Sequence, residues 1–192
     1  GKLRYWGVSN FRGWRIGEMV HGARSLNMAG PVVCQPYYNL LNRMPEVEIL
    51  PACEFHGLGV VPYSPVARGV LTGKYLPGQA PAADSRVGRG DKRVAETEFR
   101  PESLAIAQQL KAHTESRGVT LAQWVTAWVL RHRAVSAVIA GPRTLAQWQD
   151  YLPAVELEIS AEEERMVDAL VAPGHPSTPG FTDPAYPLYP RR

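Results

Sequence analysis

Four short apolar runs, each without polar–apolar alternation, set the narrowest limit on what this chain can fold into. They occupy residues 3–8, 31–35, 58–63 and 135–140. A strand with one face in water alternates, whereas a strand covered on both faces reads as an unbroken apolar run. Helical patterns lie between the runs. Ile16, Met19, Val20, Ala23 and Leu26 keep one stripe, and Leu121, Trp124, Val125, Trp128 and Val129 keep a stronger one. Thr120 with Gln123, and Ser160 with Glu163, have capping-box spacing at helix starts. Gly30 and Gly57 suit the turns where helices hand over to strands.

Strands that alternate with helices imply a parallel sheet joined by right-handed crossovers. Two architectures answer to that order, an open doubly wound sheet and a β/α barrel. No Gly-x-Gly-x-x-Gly follows any run, which counts against the first. A complete barrel needs about 250 residues, and this chain has 192 with four candidate strands. The expected fold is therefore α/β, half of a (β/α)8 barrel with four parallel strands and flanking helices. Residue 1 is Gly and an apolar run begins almost at once, so the chain reads as a piece of something longer. The barrel half is expected over residues 1–172, with a separate tail over 173–192.

Composition enters mainly by exclusion. Hydrophobic residues make up 45%, as in globular proteins. Twenty-one basic residues face 18 acidic ones, a net charge of +3, and no basic run is dense enough to track a phosphate backbone, which excludes a nucleic-acid partner. No apolar stretch approaches the roughly 18 residues of a membrane span. Cys34 and Cys53, the two cysteines, have no metal-like spacing; with Cys34 in an apolar run they fit a reducing, cytoplasmic setting.

Two segments stand apart. Residues 76–99, rich in Gly, Pro, Ala and Arg, form a loop too long for a plain connection, which reads either as a functional lid or as disorder. The tail holds Pro173, Pro176, Pro179, Pro184, Pro187 and Pro190 with Phe181, Tyr186 and Tyr189. It cannot be helical, and it is either disordered or packed over something through its aromatics.

Function in β/α barrels collects at the C-terminal ends of the strands. Those ends are Ser9-Asn10, Gln35-Pro36, Tyr63-Ser64-Pro65 and Gly141-Pro142-Arg143. None presents a His, Lys or carboxylate at the strand end itself. The pattern suits a ligand held by amides, hydroxyls and ring stacking, with acid–base chemistry supplied elsewhere.

Four motifs now carry a specific resemblance. Residues 1–11, with Tyr5-Trp6-Gly7-Val8-Ser9-Asn10-Phe11 at their heart, are similar to the fifth-strand signature of aldo-keto reductases. Gln35-Pro36-Tyr37-Tyr38-Asn39 resembles the sixth strand end. Tyr63-Ser64-Pro65-Val66-Ala67-Arg68-Gly69, running on to Gly73-Lys74-Tyr75, resembles the seventh strand and its loop. Val138-Ile139-Ala140-Gly141-Pro142-Arg143-Thr144 with Gln147 resembles the eighth. They occur in family order over about residues 1–170, so the resemblance makes this the C-terminal half of the barrel.

The resemblance implies an NADP(H)-binding half of an enzyme that reduces aldehydes or ketones by hydride transfer. Ser9, Asn10 and Gln35 would bind the nicotinamide carboxamide, although each also has an ordinary reading as a helix cap or a buried strand amide. Tyr63 would stack on the nicotinamide, or serve as a core aromatic. Ser64, Pro65 and Val66, with Arg68 and Lys74, would cradle the pyrophosphate; proline lacks an N–H, so its neighbours must donate. Gly141 would allow close backbone approach, and Arg143 would meet the adenosine 2′-phosphate, which favours NADP over NAD. Gln147 would reach the adenosine end, although Thr144-x-x-Gln147 is also a capping box. Asp150 takes an acidic adenine-side position. Tyr151 departs from the family, which often has Asn there.

The family's Asp, Tyr, Lys and His tetrad comes from its first four strand units, and this chain begins at the fifth. The tetrad is therefore expected upstream, and no catalytic residue and no metal ligand is assigned here. His21, His56, His113, His132 and His175 lie in helical or tail segments and read as surface histidines. By itself the chain is expected to be inactive, its partners being the missing N-terminal half of the barrel and a small carbonyl substrate. Two alternatives stand beside this: a non-catalytic, cofactor-sensing regulatory subunit of a membrane channel, and an independent phosphate-binding half-barrel that pairs with another copy.

Overall fold

The computed structural model describes residues 2–186. Gly1 of the first motif, and Pro187, Tyr189 and Pro190 of the tail, lie outside the described residues. Three parallel strands form one sheet in sequence order: β1 (Gly7–Ser9), β2 (Val33–Gln35) and β3 (Gly59–Val60). Gly7 sits opposite Val33, and Val33 opposite Gly59. A side chain at position 7 would strike Val33, since a Cβ there would stand 2.6 Å from the Val33 carbonyl oxygen. Helix α1 (Gly13–Ser25) crosses from β1 to β2, and α2 (Ile49–His56) from β2 to β3.

The expected fourth strand is corrected. Residues 135–140 meet β3 only through isolated bridges, Val60 to Val135 and Tyr63 to Ile139. Two hydrogen bonds hold them: Ser136 N–H donates to the Val60 carbonyl (2.8 Å) and Ile139 N–H to the Pro62 carbonyl (2.9 Å). Pro62 has no N–H to return, so the ladder is broken where it needs to run on. The same proline cuts β3 short, and the strand line resumes at Tyr63, which bridges Tyr37 on one side and Ile139 on the other.

Five more helices follow: α3 (Lys92–Thr97), α4 (Pro101–Ser116), α5 (Leu121–Arg131), α6 (Leu145–Tyr151) and α7 (Ala161–Leu170). Helix α5 buries all five residues of its predicted stripe. In α1, Ile16, Val20 and Ala23 are buried, while Met19 and Leu26 face outward. Both capping boxes form, Thr120 with Gln123 and Ser160 with Glu163. Gly57 takes the left-handed conformation (φ 75°) that ends α2, but after α1 that role falls to Asn27 (φ 52°) rather than Gly30. Cys34 and Cys53 are both free thiols buried in the core.

Two histidines are structural rather than surface groups. His113 bonds Glu163 (2.8 Å), and half-buried His132 accepts from Ala134 N–H (3.2 Å), burial pushing its pKa down. Residues 173–186 run back across the strand ends. Ser177 N–H donates to the Leu41 carbonyl (2.9 Å), Phe181 lies 3.8 Å from the Arg100 guanidinium, and Asp183 pairs with Arg93. No helix among the described residues is long and apolar enough to cross a membrane.

Candidate functional site

The strand ends open onto a groove of about 330 Å³. Ten of the thirteen residues singled out from sequence line it: Tyr63, Ser64, Pro65, Val66, Arg68, Lys74, Gly141, Arg143, Gln147 and Asp150. Its floor is the turn after Tyr63, and the backbone there is unusual. Four of the five non-glycine residues with left-handed φ among the described residues gather at this end of the sheet: Asn10 (54°), Ser64 (60°), Ala67 (47°) and Arg68 (51°). Such backbone is held only where its surroundings over-determine it. Here Ala67 N–H donates to the Ser64 carbonyl (2.9 Å), Gly69 N–H to Val66 (2.8 Å), and Asn39 Nδ2 also reaches the Ser64 carbonyl (3.1 Å).

Lys74 is bracketed from behind. Gln108 on α4 donates from Nε2 to the carbonyls of Gly73 and Tyr75, 3.0 Å each. Lys74 Nζ lies over Gly69, where even a Cβ would stand 3.2 Å from it. The facing wall is the segment Gly141–Pro142–Arg143 and the start of α6. Gln147 N–H donates to Thr144 Oγ1 (3.2 Å), and Gln147 Oε1 accepts from Arg143 N–H (2.7 Å). The side chain therefore fixes the Arg143 backbone rather than closing a full capping box.

Asp150 lines the groove with its carboxylate already engaged, accepting from Gln123 Nε2 (3.0 Å) and Thr120 Oγ1 (3.1 Å) at the start of α5. Tyr151 lies beside it, its hydroxyl pKa raised by burial and by the Asp150 charge.

Ser9, Asn10 and Gln35 lie at the ends of β1 and β2 beside Tyr63 rather than in the groove wall. Asn10 Oδ1 accepts from Tyr37 N–H (3.0 Å) and from the Tyr63 hydroxyl (3.3 Å). Its Nδ2 donates to the Tyr186 hydroxyl of the tail (2.8 Å), which leaves one amide hydrogen. Ser9 Oγ donates to the Gln35 carbonyl (2.8 Å). Burial pushes the Tyr63 hydroxyl pKa up, so the ring stays neutral.

Sequence reasoning missed Arg86, which also lines the groove. It sits in the 76–99 segment, where a hydrogen-bonded turn precedes α3: buried Ser85 accepts from Gly88 N–H through Oγ (3.0 Å), and Ser85 N–H donates to the Ala82 carbonyl (2.9 Å). Three arginines, at 86, 89 and 93, share that segment, and only the fold shows which one faces inward. Gly69, Thr72, Ala122 and Ile139 complete the lining. Arg68, Lys74, Arg86 and Arg143 thus face one carboxylate whose charge is already hydrogen-bonded. That arrangement suits a ligand with several phosphates and a planar ring, held at the C-terminal ends of parallel strands.

The architecture and groove define a parallel α/β protein with a groove rich in basic side chains at its strand ends. The Aldo/keto reductase family profile matches residues 1–172, and the chain belongs to that family. It is 39% identical over 155 residues, 80% of the chain and 47% of the relative, to a probable voltage-gated potassium channel subunit beta of Arabidopsis thaliana. It is 34% identical to the uncharacterized oxidoreductase YrpG of Bacillus subtilis, covering 97% of the chain and 53% of the relative. With the L-glyceraldehyde 3-phosphate reductase of Escherichia coli O157:H7 the identity is 31%, over 91% of the chain and 51% of the relative. The chain thus spans about half the length of the curated relatives it matches.

Proposed function

We propose that this chain is the NADP(H)-binding half of a cytoplasmic aldo-keto reductase that reduces aldehydes or ketones. The convergence of Tyr63, Arg68, Lys74, Arg86 and Arg143 on one groove supports it. Arg68, Lys74 and the left-handed turn at Ser64 and Ala67 hold the pyrophosphate. Arg143 and Gln147 hold the adenosine 2′-phosphate end, with Arg86 and Tyr151 closing over it. The neutral ring of Tyr63 offers a face for the nicotinamide, and Asn10 offers its remaining amide hydrogen to the carboxamide. When bound, the nicotinamide supplies hydride to a carbonyl carbon.

The proton for the carbonyl oxygen comes from the Asp, Tyr, Lys and His set of the complementary barrel half. Tyr63 does not substitute for it, because its hydroxyl is spent on Asn10 and burial holds its proton. Isothermal titration of the purified chain should show NADP binding more tightly than NAD, with no carbonyl reduction. Equal affinity for the two would remove the role of Arg143, and turnover by the chain alone would overturn the missing-donor reading.

A second reading, a cofactor-sensing regulatory subunit, is favoured by relatives described as potassium channel beta subunits. The discriminating observation is whether the complementary half holds an intact tetrad.

A further inference from the structure

Glu98 is wholly buried, directly after α3, at the end of the segment that sequence reading leaves as a lid or as disorder. A buried carboxylate persists only where it is paired and hydrogen-bonded. One of its oxygens, Oε1, accepts from the Tyr37 hydroxyl (2.7 Å) and from Arg68 Nε (3.2 Å). Its Oε2 lies against the Thr97 hydroxyl. Tyr37 and Arg68 lead to two parts of the groove, the Tyr63 ring and the turn that follows it. Arg68, bound through Nε, keeps its two terminal nitrogens for the groove it lines. The Tyr37 ring packs 5.6 Å from the Tyr63 ring, and Tyr37 N–H holds Asn10. We propose that Glu98 is a positioning residue that sets both the pyrophosphate-facing guanidinium of Arg68 and, through Tyr37, the stacking face of Tyr63. Neither Arg143 nor Gln147 touches this network; both are fixed from α6.

This rests on the cofactor reading above, and the test separates the two. On that reading NADP would span the groove, whereas adenosine 2′-monophosphate carries only the end that Arg143 and Gln147 would hold. In the intact protein, Glu98→Gln should weaken NADP binding about tenfold, the scale of one charge-assisted hydrogen bond. Its binding of adenosine 2′-monophosphate should stay within about twofold, which also reports that the fold survives. Tyr37→Phe removes one arm and leaves the Arg68–Glu98 pair; it should weaken NADP about threefold and spare the shorter ligand, since only the Tyr63 side of the groove loses its support. In an Arg68→Gln background, Glu98→Gln should retain only the smaller, Tyr37-borne part of its effect. Equal weakening of both ligands would make Glu98 a general structural residue and overturn the inference, as would unchanged NADP binding in Tyr37→Phe. Failure of the unmodified protein to bind NADP would overturn the parent reading first, and this inference with it.

Discussion

Arg143 stands exposed at the rim of the groove, with its own N–H held by Gln147 and its guanidinium free to meet an anion from the groove side. Arg86 reaches the same space from the opposite loop and is half-buried. A guanidinium that grips a phosphate through two N–H bonds contributes about 1.5–3 kcal/mol. Arg143→Ala should therefore weaken NADP binding about tenfold or more while leaving NAD binding unchanged, a split that titration with both nucleotides reads directly. If Arg86 is the true 2′-phosphate partner, the split will follow Arg86→Ala instead. Part of this site is legible because Tyr63, Ser64, Pro65 and Gly141 sit at or just beyond apolar runs, where strand ends must fall. Arg68, Lys74, Arg143, Gln147 and Asp150 are legible only through the family motifs. Asp150 shows the limit of that reasoning. Its position beside the groove follows from the motif, but its service to the start of α5 depends on where Thr120 and Gln123 arrive in space.

Helix α7 illustrates how an element is fixed by one residue. Glu163 closes the capping box with Ser160 and accepts from Trp124 Nε1 (2.9 Å), His113 (2.8 Å) and Arg117 Nη1 (2.6 Å), tying α7 to α4 and α5. Burial alone would push its carboxyl up, but these hydrogen bonds outweigh it and hold the pKa at about 2. A carboxylate depressed in the folded state stabilises above its unfolded pKa and loses that contribution as pH falls through the folded one. Against an ordinary value of 4.5, the contribution is on the order of 3 kcal/mol at neutral pH, lost between about pH 4.5 and 2. Urea midpoints measured across that window should fall steeply in the parent protein and far less steeply in Glu163→Gln, whose stability at pH 7 is already reduced. A parallel fall in both would exclude Glu163 as the source. The capping box that seats Glu163 is plain in the spacing Ser160-x-x-Glu163, as the α5 stripe is in its period, because both are local patterns. Nothing within residues 135–140 signals the loss of the fourth strand, because Pro62, which breaks the ladder, lies in the partner run. Helix α3 gives little signal in the sequence, because its Asp91 N-cap lies among glycines and arginines that read as loop.

At the scale of the whole molecule, the sheet has two unpaired margins among the described residues. One is the outer edge of β1, and the other is the far side of residues 135–139. Large apolar side chains stand exposed beside both. Tyr5 and Trp14 are 75% and 54% exposed near β1, and Leu145, Trp148 and Leu152 on and just after α6 are 71%, 46% and 50% exposed. Helix α6 buries no residue at all, although Leu145, Trp148 and Leu152 fall on one helical face. Open strand edges beside apolar faces are templates for association. In a closed eight-stranded barrel each margin would meet a strand and a helix of the other half, and the relatives are about twice as long as this chain. The chain purified alone should therefore self-associate with rising concentration in sedimentation velocity. Leu145→Lys with Trp148→Lys should reduce that association without loss of helicity. Supplying a complementary four-strand half, as a separate polypeptide, should replace self-association by a one-to-one complex and restore carbonyl reduction. A chain that stays monomeric at all concentrations would show that these margins are self-sufficient, and would count equally against pairing with a second copy. A stable dimer that neither dissociates nor gains activity when the complementary half is added would favour the independent phosphate-binding half-barrel over the reductase.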